Sequence, residues 1–232
     1  MAESEANPLF RKNHYLFRAL KPGAANGDVH TLPGEHPVPG HVCCLRRIGC
    51  ATEKWHDDRH TPIDNARLHY SWYDLCSQRY DAPAHGLARN QFTDQELRRE
   101  DCVGLLAPAR ISAPAGPNSV VPSNHYEVYR VVDPEPTYAE IQLRDACGNG
   151  EPVPVRVGRA AFLAVPVVKR HNDTAWPVDH PALHYVLYEV QTPDVHRDLE
   201  IVDQFQPAPL RIQARHGTLL AVPSEWRPAL SI

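Results

Sequence analysis

Four His-Tyr pairs open at His14, His69, His125 and His184, so that four of the chain's 9 tyrosines follow a histidine at nearly constant spacing. A second motif keeps the same step. Ile48-Gly49-Cys50-Ala51-Thr52, Leu105-Leu106-Ala107-Pro108, Phe162-Leu163-Ala164-Val165-Pro166 and Leu219-Leu220-Ala221-Val222-Pro223 each start 57 residues after the one before. A pattern repeated at a fixed period marks one supersecondary unit used several times, since such a unit buries its apolar face only against its neighbours. The expected organisation is four tandem copies: a divergent first repeat with an N-terminal arm over 1–55, then 56–112, 113–170 and 171–232.

Within a copy the apolar residues alternate. Val153, Val155 and Val157 are interleaved with Pro and Arg, as are Leu210 and Ile212 in the equivalent place, and period two is the signature of a strand with one face on a core. The chain holds 23 Pro, each of which removes a helical hydrogen-bond donor. The expected fold is all-β, with about four short strands per copy, arranged as β-sandwich or barrel units or as a four-bladed ring. In the last copy those strands fall at 184–190, 199–205, 209–214 and 218–223. The polar, Pro-rich connections 56–67, 113–123 and 171–181 are long for a tightly closed ring and suit bead-like units slightly better. Segment 93–100 opens with a capping box, Thr93 and Glu96, and reads either as a helix or as an outward-charged strand.

The copies are similar to the repeats of uncharacterised, mostly secreted bacterial and archaeal proteins. Those units open with His-Phe-x-Cys-Tyr, pass through Asp-Gln-Phe-Gly and close with Leu-Leu-Cys-x-Pro. The likeness is best at 184–188, at Asp203-Gln204-Phe205 and at 219–223, and Asn90-Gln91-Phe92 carries it in the second copy. The resemblance brings no activity with it. Its two cysteine positions correspond here to Leu187 with Ala221, Val128 with Ala164, Trp72 with Ala107, and Phe17 with Cys50. If those cysteines are bridged in the relatives, this chain has put an apolar pair in place of the bridge in three copies and kept one half of it in the fourth.

Net charge is −4, which argues against an electrostatic footprint for nucleic acid. The acidic start lacks the charge and the apolar run of a signal peptide, and no stretch approaches membrane-spanning length, so a cytoplasmic location without membrane insertion is expected, with a virus-like or cell-released particle also compatible. The six cysteines, at 43, 44, 50, 76, 102 and 147, stop well before the end of the chain, and this uneven spread favours reduced thiols over a disulfide framework.

Candidate sites are few. His36, His41, Cys43, Cys44, Cys50, His56 and His60 bring zinc-type ligands close in sequence, with Cys44, Cys50, His56 and His60 as the tightest set, yet they lack the short Cys-x(2–4)-Cys knuckle of a structural zinc site. Buried small thiols beside a His-rich loop explain them as well. His14, His69, His125 and His184 would make a metal or anion site if they met around a fourfold axis, while architectural histidines at the starts of strands are the commoner outcome. Asp145 and Asp203 have the position of turn-forming residues. Trp55, Trp176 and Trp226, near copy ends, would offer platforms to a glycan or a protein. No nucleophile elbow, phosphate loop or dinucleotide fingerprint is present. The expectation is a non-enzymatic structural or self-assembling protein without cofactor or resident metal, whose partner is itself or another protein. The alternatives are a carbohydrate- or protein-binding module and a zinc domain around Cys44 to His60.

Overall fold

The computed structural model describes residues 11–32, 38–79, 83–111, 123–171, 174–206 and 208–229, with the backbone alone at 21–32, 38–40, 77–79, 171 and 174. Most of segment 113–123, the first ten residues and His36 lie outside the described residues. The described chain is nearly all strand, in a single sheet: β1 (His14–Leu32), β2 (Val38–His56), β3 (Arg59–Thr61), β4 (His69–Arg79), β5 (Ala84–Arg89), β6 (Asp94–Ile111), β7 (His125–Val132), β8 (Pro136–Asp145), β9 (Val153–His171), β10 (Thr174–Trp176), β11 (His184–Glu189), β12 (Arg197–Asp203) and β13 (Leu210–Pro228).

Eight of these strands close on themselves. The order β1-β2-β4-β6-β7-β9-β11-β13 returns to β1, and every neighbouring pair is antiparallel. The result is one up-and-down barrel made of four hairpins, whose first strands open at His14, His69, His125 and His184 in the same setting. Bead-like units and separate blades are therefore both corrected. The long connections do not space out domains; two of them carry the short strands β3 and β10, which fold back on β2 and β9.

The expected count of about sixteen short strands is also corrected. The third and fourth strands read in each copy are one long strand of 18 or 19 residues. The first half of each long strand stands outside the barrel with a middle strand, forming an arm. In β2 and β6 the register shifts near Cys44 and Cys102, where the strand bends into the wall. Segment 93–100 lies in the arm half of β6 as a strand with alternating burial, so the helix reading of it fails.

The arms reach across the molecule. β5 pairs with β6 and also with the tail of β13 at 225–228. β8 pairs with β9 and the tail of β2 at 52–55, and β12 with β13 and the tail of β6 at 109–111. The end of β1 meets β9 at 168–170 in the same way. Each copy's arm thus hydrogen-bonds the copy two places on.

An eight-stranded barrel has a lumen just wide enough for side chains to fill. Tyr15, Tyr70, Tyr126 and Tyr185 point into it and close an edge-to-face cycle, with centroids 4.9, 5.7, 5.3 and 5.7 Å apart around the ring. The next layer is Phe17, Trp72, Val128 and Leu187, and each faces a cross-strand partner: Gly49, Leu106, Ala164 and Ala221. Two partners differ by one residue from the alignment of Ala107 and Cys50 with Ala164 and Ala221. Pro108, Pro166 and Pro223 all stand opposite the layer tyrosines, with Ala51 in the first copy, so it is the position of the proline that keeps register. Ala107 and Cys50 face outward instead. Gly49 is glycine because a Cβ there would lie 2.7 Å from the Phe17 ring.

Asn13 and Asn124 fasten the loops that cap the tyrosine end. Asn13 accepts from the Asp64 and Asn65 amides and donates to the Asn65 carbonyl, and Asn124 repeats this with Asp179 and His180. Leu68 and Leu183 from those loops complete the lumen cluster. Two further clusters lie between the arms and the outer wall.

Removing one ring opens a hole in a closed cycle, so Tyr126→Ala is expected to cost about 3–5 kcal/mol in urea unfolding, whereas Tyr126→Phe keeps the ring, loses the hydroxyl contacts to Asn124 and Tyr70, and is expected to cost about 1 kcal/mol.

Candidate functional site

Because the strands alternate, tyrosines that face the lumen put the neighbouring histidines on the outer wall. The four signature histidines do not meet at the axis. Each is between 0% and 8% exposed; His125 lies beside the turn after β12 and His69 beside the turn after β8. Three of these stations share a plan in which an Asp or Asn caps its own turn with one side-chain atom and bonds a copy two places away with the other.

In the first station Asp203 Oδ1 accepts from the Phe205 and Gln206 amides at 2.8 and 3.0 Å, while Oδ2 accepts from Tyr73 Oη at 2.8 Å. Burial pushes the Asp203 carboxyl up, and these hydrogen bonds, with Ser71 alongside, hold it back. The Phe205 ring meets Tyr73 edge-on at 5.0 Å. The Lys169 ammonium lies over two aromatic faces, 4.2 Å from the centroid of Phe205 and 4.4 Å from that of Trp176, and has no hydrogen-bond partner among the described residues. Burial lowers its pKa to about 7, with Asp203 pulling the other way. His125 accepts from the Gln204 side-chain amide through Nε2, and burial plus Lys169 bring its pKa down to about 3, so it is neutral.

The second station swaps chemistry within the same plan. Asn90 Oδ1 accepts from the Phe92 and Thr93 amides, and Nδ2 donates to Tyr188 Oη at 2.9 Å. Lys54 lies 4.9 Å above the Phe92 ring, its pKa lowered by burial to about 8. His14 is fully buried, neither ring nitrogen has a hydrogen-bond partner among the described residues, and burial keeps it neutral.

The third station is ionic. Arg18 grips Asp145 with two bonds, Nε to Oδ1 at 3.1 Å and Nη2 to Oδ2 at 2.7 Å, and its Nη1 donates to the Arg215 carbonyl. Asp145 Oδ1 also accepts from the Cys147 amide. Cys147 is bridged to Cys50, and the His69 imidazole lies against the pair. A second bridge joins Cys43 to Cys76. Six reduced thiols are thus corrected: spread along the sequence was a poor guide because closure brings β2 beside β4 and beside the turn after β8. Cys44 and Cys102 lie outside the two bridges, and the Cys102 thiol donates to the Gly104 carbonyl.

The zinc set Cys44, Cys50, His56 and His60 is not brought together. Cys44, Cys50 and His56 lie along β2, and at about 3.3 Å per residue the first and last are tens of ångströms apart. His60 stacks on Trp55 at 4.6 Å, and Arg144 lies across the same indole. Trp176 holds Lys169, and Trp226 packs into an outer cluster, so all three copy-end tryptophans are half-buried with ring contacts already made. At the mouth opposite the tyrosines a groove is lined by Arg47, Arg130, Arg159, Phe162, Glu189 and Leu219. Arg47 lies 4.9 Å over Trp72, and Arg159 pairs with Glu189.

Sequence reading missed Lys54 and Lys169. The signal existed: two of the chain's few lysines stand three residues after Ala51 and Pro166, one repeat position used twice.

The fold and its stations define a class: a closed antiparallel barrel of repeated hairpins, fastened from outside by buried polar latches. The chain belongs to the family described as a repeat of unknown function (DUF7450), whose model matches residues 69–222. No curated protein and no solved structure matches it.

Two expectations follow. Between pH 7 and 8 the unfolded chain carries a proton that Lys169 has shed in the fold, so stability rises with pH by up to about 1.4 kcal/mol per unit, and Lys54 adds to the rise above 8. Urea unfolding at pH values across that window should show Lys169→Met flattening the first part of the rise. Arg18→Leu strands the carboxylate that Arg18 grips and is expected to cost about 3–5 kcal/mol, whereas the pair Arg18→Tyr with Asp145→Asn, which copies the Tyr188–Asn90 latch, should lose much less in the same assay.

Proposed function

We propose that this chain is a non-enzymatic repeat scaffold that presents a contact surface, as the subunit of a shell, filament or surface layer whose partner is another copy of itself. The observation that carries this reading is closure with a filled lumen. The barrel interior is occupied by stacked aromatic and aliphatic layers, and the outer polar clusters lie sealed under the arms, which leaves the surface as the place where the molecule meets others. The four hairpins are read as four copies of one unit, three of them within the matched family span.

Closure also sets the mode of contact. Among the described strands, β3 and β10 alone have one neighbour, and each has three residues, so strand addition along the sheet has little edge to use. Assembly then proceeds through side-chain faces such as the arginine-lined mouth. Rigid latches suit this role, since a surface that does not deform loses little entropy on docking.

Mass photometry and negative-stain microscopy of the purified chain over a range of concentrations should show a discrete multimer or an ordered array. A particle that stays monomeric at the highest concentration reached removes the proposal.

A further inference from the structure

The Cys50, His69 and Cys147 side chains offer three ligand atoms within 4.8 Å of one another, all buried, from three separate parts of the chain: β2, the first residue of β4, and the turn after β8. We propose that this trio is a reduction-dependent metal site, binding one thiolate-seeking divalent cation of the zinc type when the Cys50–Cys147 bridge is open. This set shares only Cys50 with the zinc-type set Cys44, Cys50, His56 and His60, and only His69 with the four repeated histidines.

The chemistry of the surroundings favours a cation held by sulfur and nitrogen. His69 Nδ1 accepts from the Ala51 amide at 3.3 Å, so its proton is on Nε2, and the ring also bonds the Ala66 carbonyl. With its N–H tied to a backbone carbonyl the ring is oriented as a metal-bound histidine is, and the cation would take the Nδ1 lone pair in exchange for the long Ala51 contact. Two thiolates and one imidazole are three of the four ligands of tetrahedral zinc, with water as the fourth.

The two states exchange with balanced chemistry. A dithiol or phosphine reductant gives two electrons to the disulfide, breaking the S–S bond, and two protons complete the thiols. Binding the cation then releases those two protons. In either state the same link is made between β2 in the first copy and the turn of the third, 97 residues apart. The scaffold therefore keeps its cross-tie in both oxidising and reducing surroundings, by a covalent bond in one and by a metal in the other.

Cobalt(II) is the probe, because thiolate ligation produces a charge-transfer absorption and tetrahedral geometry produces visible bands. The full chain, reduced with a phosphine and freed of it without air, is titrated with cobalt, and zinc is then added in competition. Expected are one cobalt per chain, both absorptions, and their loss on adding zinc. Cys147→Ser and His69→Ala should abolish or weaken them, while the joint change Cys43→Ser and Cys76→Ser should leave them intact. The oxidised wild-type chain should bind none, and this arm needs no variant to fold. The proposal is overturned if the reduced chain gives no thiolate band, if the oxidised chain binds as well as the reduced one, or if the band survives Cys147→Ser.

Discussion

Closure of the sheet is the constraint on which the rest depends. Eight strands leave a lumen that side chains can fill but small residues alone cannot, and here each hairpin contributes one ring at the same height. Tyr15, Tyr70, Tyr126 and Tyr185 meet that demand together, since edge-to-face contact lets four rings surround an axis with each edge on its neighbour's face. The layer beneath must then fit as pairs. Phe17 stands opposite Gly49, and the smaller Val128 opposite Ala164, so bulk lost on one strand is balanced on its partner.

Once the tyrosines occupy the inside, period two dictates the outside. The histidine before each tyrosine and the residue three after it lie on the outer wall, in apolar surroundings that the arms create. Polar groups placed there need partners, and the Asx turns supply them. A side chain that caps two amides still has an atom to spare, which reaches Tyr73, Tyr188 or Arg18 across the molecule. Lys169 and Lys54 are the exceptions, held against aromatic faces, and they show the cost of burial as depressed basicity.

Much of this was legible in the sequence. The all-β class, the period near 57 and the turn role of Asp145 and Asp203 follow from alternation and spacing, and the described strands open at the four His-Tyr pairs. What could not be read was long-range. Alternation says that a face is buried, not against what, so one barrel and four beads write the same pattern. It also cannot show that two short strands are one bent strand, because a bulge keeps alternation on both sides while the chain changes sheet neighbours. The disulfide pairing was hidden for the same reason, as Cys50 and Cys147 meet only through arm crossing. The one-residue error in aligning the first two closing motifs came from following Leu-Leu-Ala rather than proline, and parity in a barrel makes one residue the difference between lumen and outer wall.

The arms account for a second rhythm in the sequence. In the first and third hairpins Lys54 recurs as Lys169 and Asn13 as Asn124, whereas with the second and fourth β3 recurs as β10, Leu68 as Leu183 and Asn90-Gln91-Phe92 as Asp203-Gln204-Phe205. Adjacent copies meet through barrel strands, whose side chains are set by height in the lumen and are similar in all four. Opposite copies meet through arm and tail, and each is at once the giver and receiver of that contact: β8 reaches β2 while the end of β1 reaches β9, and β12 reaches β6 while β5 reaches β13. A change in a tail residue therefore has to suit the arm of the opposite copy, and the opposite copy's tail faces the same demand from the reciprocal arm. Matches across that pair, added to those shared by all the hairpins, give the sequence a second period of twice the repeat length.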